Sequence, residues 1–491
     1  MTETTSSETT SSETTSSETT SSETTRLEYR TRDPRTNTVL ETFDVLEPAQ
    51  LEEVLEVGHQ AFQDWRTLDI EDRAVFAHRI ADLFEERRTD LAVIASTEMG
   101  KALDQADGEV QECIDIFRYY AVNGPHLGAD EVIKEIDGRR AVIQKRPLGM
   151  LLGIMPWNFP FYQVARFAAP NLLLGNTLLL KHTESCPRSA LALQRLLDDA
   201  GLPAGVYQNV FVTHDQVEQI IADDRVQGVS LTGSERAGSA VASLAGRHLK
   251  KVVLELGGSD PHIYLSAEDV AQAAREAVEF RLDTMGQACT SNKRLIVLED
   301  LYEEFVDAVV EEIGALEPGD PLEPRPGRYY PLSSEQAAEG LHGQLRRAVE
   351  QGARLRVGGD RPDRPGAWLR PAVLTDVSEH TDAYRQELFG PVVTIYRVRD
   401  EEEAVRLAND SPYGLGGAVF SQDRAQALRV AQQLEVGMSN VNVGGSEAAD
   451  MPFGGVKRSG FGRELGPLGM DEFVNKRLLN IVDPEIAGRE G

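Results

Sequence analysis

Four short segments of this chain hold residue types that could do chemistry, and each also has a plainer reading. Cys289 lies in Gly286-Gln287-Ala288-Cys289-Thr290, flanked by small residues and followed by a strand pattern that opens with basic Lys293 and Arg294. An accessible thiol near positive charge is what a cysteine nucleophile needs. A cysteine can equally be a small buried hydrophobe, and that reading is given to Cys113 and Cys186. Glu255 closes the apolar run 252–254 and precedes Leu256-Gly257-Gly258. A carboxylate at the end of a buried strand, with two glycines letting another group approach, could act as a general base, and burial would raise its pKa. The alternative is a solvated strand-end glutamate. In Pro156-Trp157-Asn158-Phe159-Pro160 two prolines stiffen a loop. From it Asn158 could donate an amide N–H to a developing oxyanion, unless the loop is only a connector around a packed Trp157. Thr232-Gly233-Ser234 follows a strand pattern and opens a helix, where free N–H groups would suit a pyrophosphate or Ser234 would merely cap the helix. There is no Gly-x-Gly-x-x-Gly, no Walker loop and no His-Glu-x-x-His, and no metal-ligand set is expected.

These segments need elements to position them. The apolar spacing predicts short strands and turns over 26–45, three helices over 48–121 and an exposed strand over 140–146. After that, strand patterns at 151–155, 177–180, 206–212, 226–231, 252–256, 295–298, 392–396 and 418–420 alternate with helical ones at 189–200, 235–249, 268–281 and 303–315. Such alternation indicates an α/β fold with mostly parallel sheets. Residues 1–25 repeat Thr-Ser-Ser-Glu-Thr with nothing apolar to bury, so a solvated, disordered tail is expected there.

Composition bounds the function. At 491 residues the chain allows about three compact units. Its 80 Asp+Glu against 50 Lys+Arg give a net charge of −30, which speaks against nucleic acid or an anionic membrane as partner. Only nine of the basic residues are Lys, a balance that fits adaptation to concentrated salt. No apolar stretch is long enough to span a membrane and no secretory signal is visible. Three scattered cysteines do not form a disulfide framework. The cytoplasm is the expected compartment.

Taken together and in order, the motifs resemble those of the aldehyde dehydrogenase superfamily. The resemblance runs from about residue 26 onward through Pro156–Pro160, Lys181-His182-Thr183-Glu184, Thr232-Gly233-Ser234, Glu255-Leu256-Gly257-Gly258, Gly286-Gln287-Ala288-Cys289, Glu387-Leu388-Phe389-Gly390-Pro391 and Pro452-Phe453-Gly454-Gly455. The last block continues into Ser459-Gly460-Phe461-Gly462-Arg463-Glu464. Residues 162–171 and Gly258-Ser259-Asp260-Pro261 are similar to the succinate-semialdehyde dehydrogenase branch.

The resemblance implies NAD(P)-dependent oxidation of a small aldehyde, succinate semialdehyde or a related semialdehyde, to the acid. Cys289 would form a thiohemiacetal and then a thioester, Asn158 would stabilise the oxyanion and Glu255 would activate water. Lys181 and Glu184 would hold the adenosine ribose, Gly233 and Ser234 the pyrophosphate region and Glu387 the nicotinamide ribose. Trp157, Leu256 and Phe389 would line the cofactor cleft. A carboxylate at Glu184 would repel a 2′-phosphate, so NAD is expected, with NADP admitted. Arg166 would clamp a substrate carboxylate or form a helix-surface ion pair, and Phe453 would line the substrate site. Acid at Glu447 and Asp450, near Ser446, would oppose an anionic substrate, which keeps a broader aliphatic range open. A CoA-acylating enzyme would be expected to lack Glu255, and a non-catalytic relative to lose Cys289 or Glu255. The implied architecture has two α/β domains with Rossmann-type sheets. Residues 26–128 and 148–257 would bind the cofactor, and 258–472, with a core of 258–455, would be catalytic. An oligomerisation arm, 129–147 with 473–491, would make a homodimer or homotetramer.

Overall fold

The computed structural model describes residues 28–136, 138–445 and 447–483, so the repeat tail, Ser446 and the end of the expected arm lie outside the described residues. Two sheets dominate the fold. The first has six strands in the order Gly460–Phe461, Lys251–Glu255, Val226–Thr232, Met150–Met155, Thr177–His182 and Tyr207–Asn209. All pairings are parallel except that of Gly460–Phe461. The central strands Met150–Met155 and Thr177–His182 are almost continuously buried, with apolar runs at Met150–Leu152 and Leu178–Leu180, as in strands covered on both faces. The second sheet has seven strands, in the order Arg354–Val357, Ala372–Thr375, Val392–Val398, Arg294–Leu298, Pro261–Tyr264, Gly416–Phe420 and Met438–Val441. Here only Arg354–Val357 runs antiparallel to its neighbour. The α/β class read from the alternation is the class observed.

Three departures from the sequence reading have local causes. Residues 48–121 hold four helices, Pro48–Trp65, Ile70–Glu86, Arg88–Met99 and Leu103–Leu127, because the chain breaks at Arg87 and again at Gly100. Strand Pro261–Tyr264 was not expected, since its proline and its length of four residues hide it, yet it lies inside the second sheet. Of the stretch 258–472 expected to form one unit, Gly460–Phe461 instead joins the first sheet beside Glu255. Gly460 has φ +112, and a Cβ there would lie 2.0 Å from the Leu254 carbonyl oxygen, so only glycine allows this contact.

A third, antiparallel sheet is formed by Glu131–Ile136, Arg139–Pro147 and Val474–Val482. It leaves Val132, Ile133, Ile136, Leu478, Leu479 and Ile481 exposed.

One buried ion pair sets the loop that carries Asn158. Glu109, inside helix Leu103–Leu127, places Oε2 2.7 Å from the Lys101 ammonium, and both side chains are fully buried. Its Oε1 accepts from the backbone N–H groups of Phe161 (2.7 Å) and Tyr162 (3.2 Å), at the start of helix Tyr162–Leu174. The ammonium also sits 3.7 Å from the centre of the Phe159 ring. Removing one partner of such a pair costs about 3–5 kcal/mol, because the other charge stays buried. Glu109→Gln is therefore expected to lower the unfolding free energy by that order, seen as a lower urea midpoint at unchanged m-value, and Lys101→Met in the same chain to recover part of the loss. A midpoint unchanged in the single variant would show that the pair is not holding the loop.

Candidate active site

The strand ends and loops of the two large sheets converge on Cys289. A cleft of about 280 Å³ is lined by Trp157, Asn158, Gly233, Ser234, Leu256 and Phe389, together with Glu387 and Cys289. A second, wider chamber of about 650 Å³ is lined by Phe159, Tyr162, Arg166, Phe453 and Cys289 among others. Cys289 is thus part of the wall of both, and Gln163 is too. Cys113 and Cys186 are fully buried, as expected of structural thiols, while Cys289 is partly exposed.

The approach to Cys289 is held under backbone strain. Helix Val270–Leu282 ends, and Thr284 (φ 51) and Met285 (φ 55) both adopt left-handed backbone just before the Cys289 loop. Such residues persist only when their surroundings over-determine them. Here the buried Arg281 does so. Its Nη1 donates to the Gly286 carbonyl (3.1 Å) and to Ser291 Oγ (2.8 Å). Its Nη2 donates to the Leu388 (2.9 Å) and Gly390 (2.5 Å) carbonyls, and Nε to that of Val392 (3.0 Å). Burial pulls this guanidinium down to about 9, with the Glu387 charge opposing. One side chain therefore fixes the Cys289 loop and the Glu387–Pro391 loop to each other. Lys293 adds a second tie: its ammonium donates to the Ala288 (2.7 Å) and Cys289 (2.8 Å) carbonyls and lies 3.2 Å from Glu387 Oε1. Neither role was assigned from sequence. Lys293 was visible only as positive charge after the cysteine, and Arg281 carried no signal at all.

Asn158 follows strand Met150–Met155 and is buried, with Nδ2 donating to the Gln287 carbonyl (3.0 Å), so its amide is fixed beside the cysteine loop. Its Oδ1 and the Thr232 hydroxyl are buried without a hydrogen-bond partner among the described residues, and both residues line the cleft. Trp157 and Phe389 meet edge to face at 5.7 Å. Orphaned polar atoms beside two aromatic rings fit a flat heteroaromatic ligand that carries an amide, such as a nicotinamide. Ser234 is both a cap, with Oγ accepting from the Ala237 N–H, and part of the cleft wall. Lys181 and Glu184 are ion-paired to each other at the end of strand Thr177–His182 and are not among the residues lining this cleft. The Lys181 ammonium holds the Glu184 carboxyl below its usual range against the opposing effect of burial.

Glu255 lines neither cavity. It is buried, with Oε1 against the Gly454 backbone and no hydrogen-bond partner among the described residues. Burial first, and the Glu464 charge second, hold its carboxyl well above the usual range, with Arg166 opposing. Glu464 in turn places Oε2 2.8 Å from Arg166 Nε. The Arg166 charge thus opposes the effect of burial on both carboxyl groups. Glu464 stood within a matched motif, yet only the structure shows its contact with Arg166. The guanidinium is stacked 4.1 Å from the Phe453 ring and 5.0 Å from that of Tyr162. Its two terminal nitrogens make no well-formed hydrogen bond among the described residues. Arg166 is therefore not on the helix surface. The rest of its chamber is acidic, with Asp104, Glu112, Glu276, Glu279, Asp283 and Glu447 in the wall. Asp450 lines an adjoining cavity that shares Glu112, Tyr162 and Glu447.

The paired glycines after Glu255 are explained by two close approaches. A Cβ on Gly257 would lie 2.3 Å from Glu387 Oε2, and one on Gly258 would lie 2.6 Å from the Cys289 carbonyl oxygen. Gly258→Ala must then push the nucleophile loop aside. A displacement near 1 Å at a reacting group costs about 10²-fold in rate. Turnover is expected to fall by that order with the circular dichroism spectrum unchanged, and near-normal turnover would show that the contact is not needed.

Comparison with known proteins agrees with this geometry. Residues 20–479 match the model of the aldehyde dehydrogenase family. A relative in Deinococcus radiodurans named succinate-semialdehyde dehydrogenase (NADP+) is 53% identical over 92% of this chain and 94% of its own. One of the same name in Mycobacterium avium is 40% identical over 91% of this chain and 96% of its own. Among solved structures, succinic semialdehyde dehydrogenase from Streptococcus pyogenes in complex with NADP+ is 42% identical, with a TM-score of 0.90, covering 93% of this chain and 100% of that one. Betaine aldehyde dehydrogenase from Staphylococcus aureus in complex with NAD+ is 29% identical, with a TM-score of 0.89, over 93% and 92%. On motifs, fold and site together, the chain belongs to the aldehyde dehydrogenase family.

Proposed function

We propose that this enzyme oxidises succinate semialdehyde, or a closely similar semialdehyde, to the carboxylic acid with NAD(P) as oxidant. The observation that carries the reading is the position of Cys289 in the wall between the two cavities, one holding Trp157, Glu387 and Phe389 and the other holding Arg166. An aldehyde carbon at Cys289 is then reachable from both sides. Arg166 lines the wider chamber with its guanidinium buried and paired to Glu464, and it anchors the far end of the substrate once a side-chain movement uncovers its terminal nitrogens.

The cysteine thiolate forms a C–S bond to the aldehyde carbon, and the carbonyl electron pair moves to oxygen. The Asn158 amide and the Cys289 backbone N–H stabilise that oxyanion. NAD(P), which Trp157, Ser234, Glu387 and Phe389 would hold in the cleft, would supply the hydride acceptor, and as the C–H bond breaks the oxyanion electron pair re-forms the carbonyl of a Cys289 thioester. The resulting thioester is hydrolysed by water whose proton Glu255 takes, after which the C–S bond breaks and releases the acid and the thiolate. For that step Glu255 must lose its own proton and turn from Gly454 towards the thioester, and Arg166 is the neighbouring charge that favours its ionised form. Glu255 supports hydrolysis over acyl transfer to CoA, and the complete set of side chains supports an enzyme over a binding protein.

The first large sheet, with 26–128 and 148–257, is the cofactor unit of this reading, and the second sheet carries the nucleophile. The three-stranded arm, with its exposed apolar residues, supports a homodimer or homotetramer in which the arm adds to a neighbour's sheet. The acid-rich, Lys-poor composition supports adaptation to concentrated salt. No helix among the described residues is long and apolar enough to cross a membrane.

The acidic chamber favours a second reading, a broader range of uncharged aliphatic aldehydes, and one experiment separates the two. Arg166→Met is expected to raise KM for succinate semialdehyde at least about tenfold, the value of one lost charge-assisted contact, and to change kcat/KM for butanal much less. Equal losses on both substrates would favour the second reading. The cofactor preference tests Glu184. Glu184→Ser removes the carboxylate that opposes a 2′-phosphate while leaving Lys181 to attract it, so the ratio of NADP to NAD efficiency, read from reduced-cofactor absorbance, should rise. An unchanged ratio would remove Glu184 from the selection.

A further inference from the structure

We propose that Lys293 is a positioning residue that sets how readily Cys289 ionises, with Glu387 as the movable countercharge that restrains it. The inference rests on Cys289 as the nucleophile and adds a control on its reactivity.

The geometry is specific. The Lys293 ammonium is buried and has three protons to donate. Two go to the Ala288 and Cys289 carbonyls at 2.7 and 2.8 Å, and the remaining contact is Glu387 Oε1 at 3.2 Å. The positive charge therefore lies directly behind the nucleophile's own peptide group. The charged groups that face Cys289 are Arg166 and Lys293 on one side of the balance and Glu387 and Asp260 on the other. Arg166 is already paired with Glu464. Lys293 is the cation whose partner can move.

Glu387 can move because it belongs to the cleft wall. It is held by Lys293 and by the Gly258 N–H, which donates to Oε1 at 3.1 Å. Hydroxyl groups of a ligand in the cleft compete for this carboxylate. When Glu387 turns to such a ligand, Lys293 loses its countercharge while it stays tied to the cysteine loop. Cys289 then releases its thiol proton to solvent, favoured by an ammonium whose remaining acidic neighbour is the buried Asp260. While Glu387 remains on Lys293, burial outweighs both cations and keeps the thiol up at about 12. The arrangement keeps an exposed nucleophile quiet until a ligand is in place.

The test is alkylation of the full-length protein, free of nucleotide, by iodoacetamide across a pH series, with the Cys289 peptide followed by mass spectrometry. Lys293→Gln and Lys293→Met should displace the profile upward by about one pH unit, which is tenfold slower alkylation at a fixed pH below the midpoint. Lys293→Arg, which keeps the charge, should restore most of the rate. Glu387→Gln should move the profile the opposite way and speed alkylation by a similar factor. A folded Lys293→Gln protein with the wild-type profile would overturn the proposal, and so would a Glu387→Gln protein that alkylates more slowly. If the Lys293 variants do not fold, the sign of the Glu387→Gln shift decides. Turnover by Cys289→Ala is the separate control: activity there defeats the nucleophile itself, whereas its loss beside an unmoved Lys293→Gln profile defeats only the role of Lys293.

Discussion

The site depends on two buried cations that bind backbone instead of balancing charge alone. Arg281 and Lys293 together take up carbonyl groups of Gly286, Ala288, Cys289, Leu388, Gly390 and Val392. They share the support of the left-handed turn at Thr284 and Met285 with Gln105, whose Oε1 accepts from the Thr284 N–H, and they tie the Cys289 loop to the Glu387 loop. Ridges of apolar packing hold the sheets, but they do not determine where a loop tip points. Donors of fixed geometry do, and arginine presents five of them in one plane. The cost is the desolvation of two positive charges, offset by hydrogen bonds to dipoles that would otherwise be buried and unpaired.

The same logic recurs at Glu109, which accepts from two backbone N–H groups at the entry to helix Tyr162–Leu174 while Lys101 neutralises it. That helix then delivers Tyr162, Gln163 and Arg166 to the wider chamber from one rigid element. In each case a charged side chain converts an irregular piece of backbone into a fixed support. The residues that would touch ligands, namely Asn158, Cys289 and Arg166, are placed by neighbours that touch none.

The alternation of strands and helices was legible because parallel strands buried on both faces read as apolar runs. The seven motif blocks led to Cys289, Asn158 and the cleft-lining residues Trp157, Leu256, Glu387 and Phe389, which the chain does bring together. Other relations were invisible for physical reasons. Strand Pro261–Tyr264 is too short and too proline-marked to show a period. The Arg166–Glu464 pair joins residues far apart in sequence, and an arginine in a helix pattern looks the same whether it faces water or a cavity. Gly257 and Gly258 were readable as a site of close approach, but which groups approach them, Glu387 and the Cys289 carbonyl, is a tertiary fact.

The six carboxylates in the chamber wall make access depend on the medium. Burial pushes the Glu112 carboxyl up to about 8, so the ionised groups are fewer than six, and where the screening length is about 10 Å their field disfavours an entering carboxylate. In molar salt the screening length shrinks to about 3 Å, and an entering carboxylate then feels mainly the charges it meets at contact, the acidic wall residues and Arg166 alike. Dissolved electrolyte then works as a component of substrate selection. Salt thus weakens the field of the wall without any residue moving.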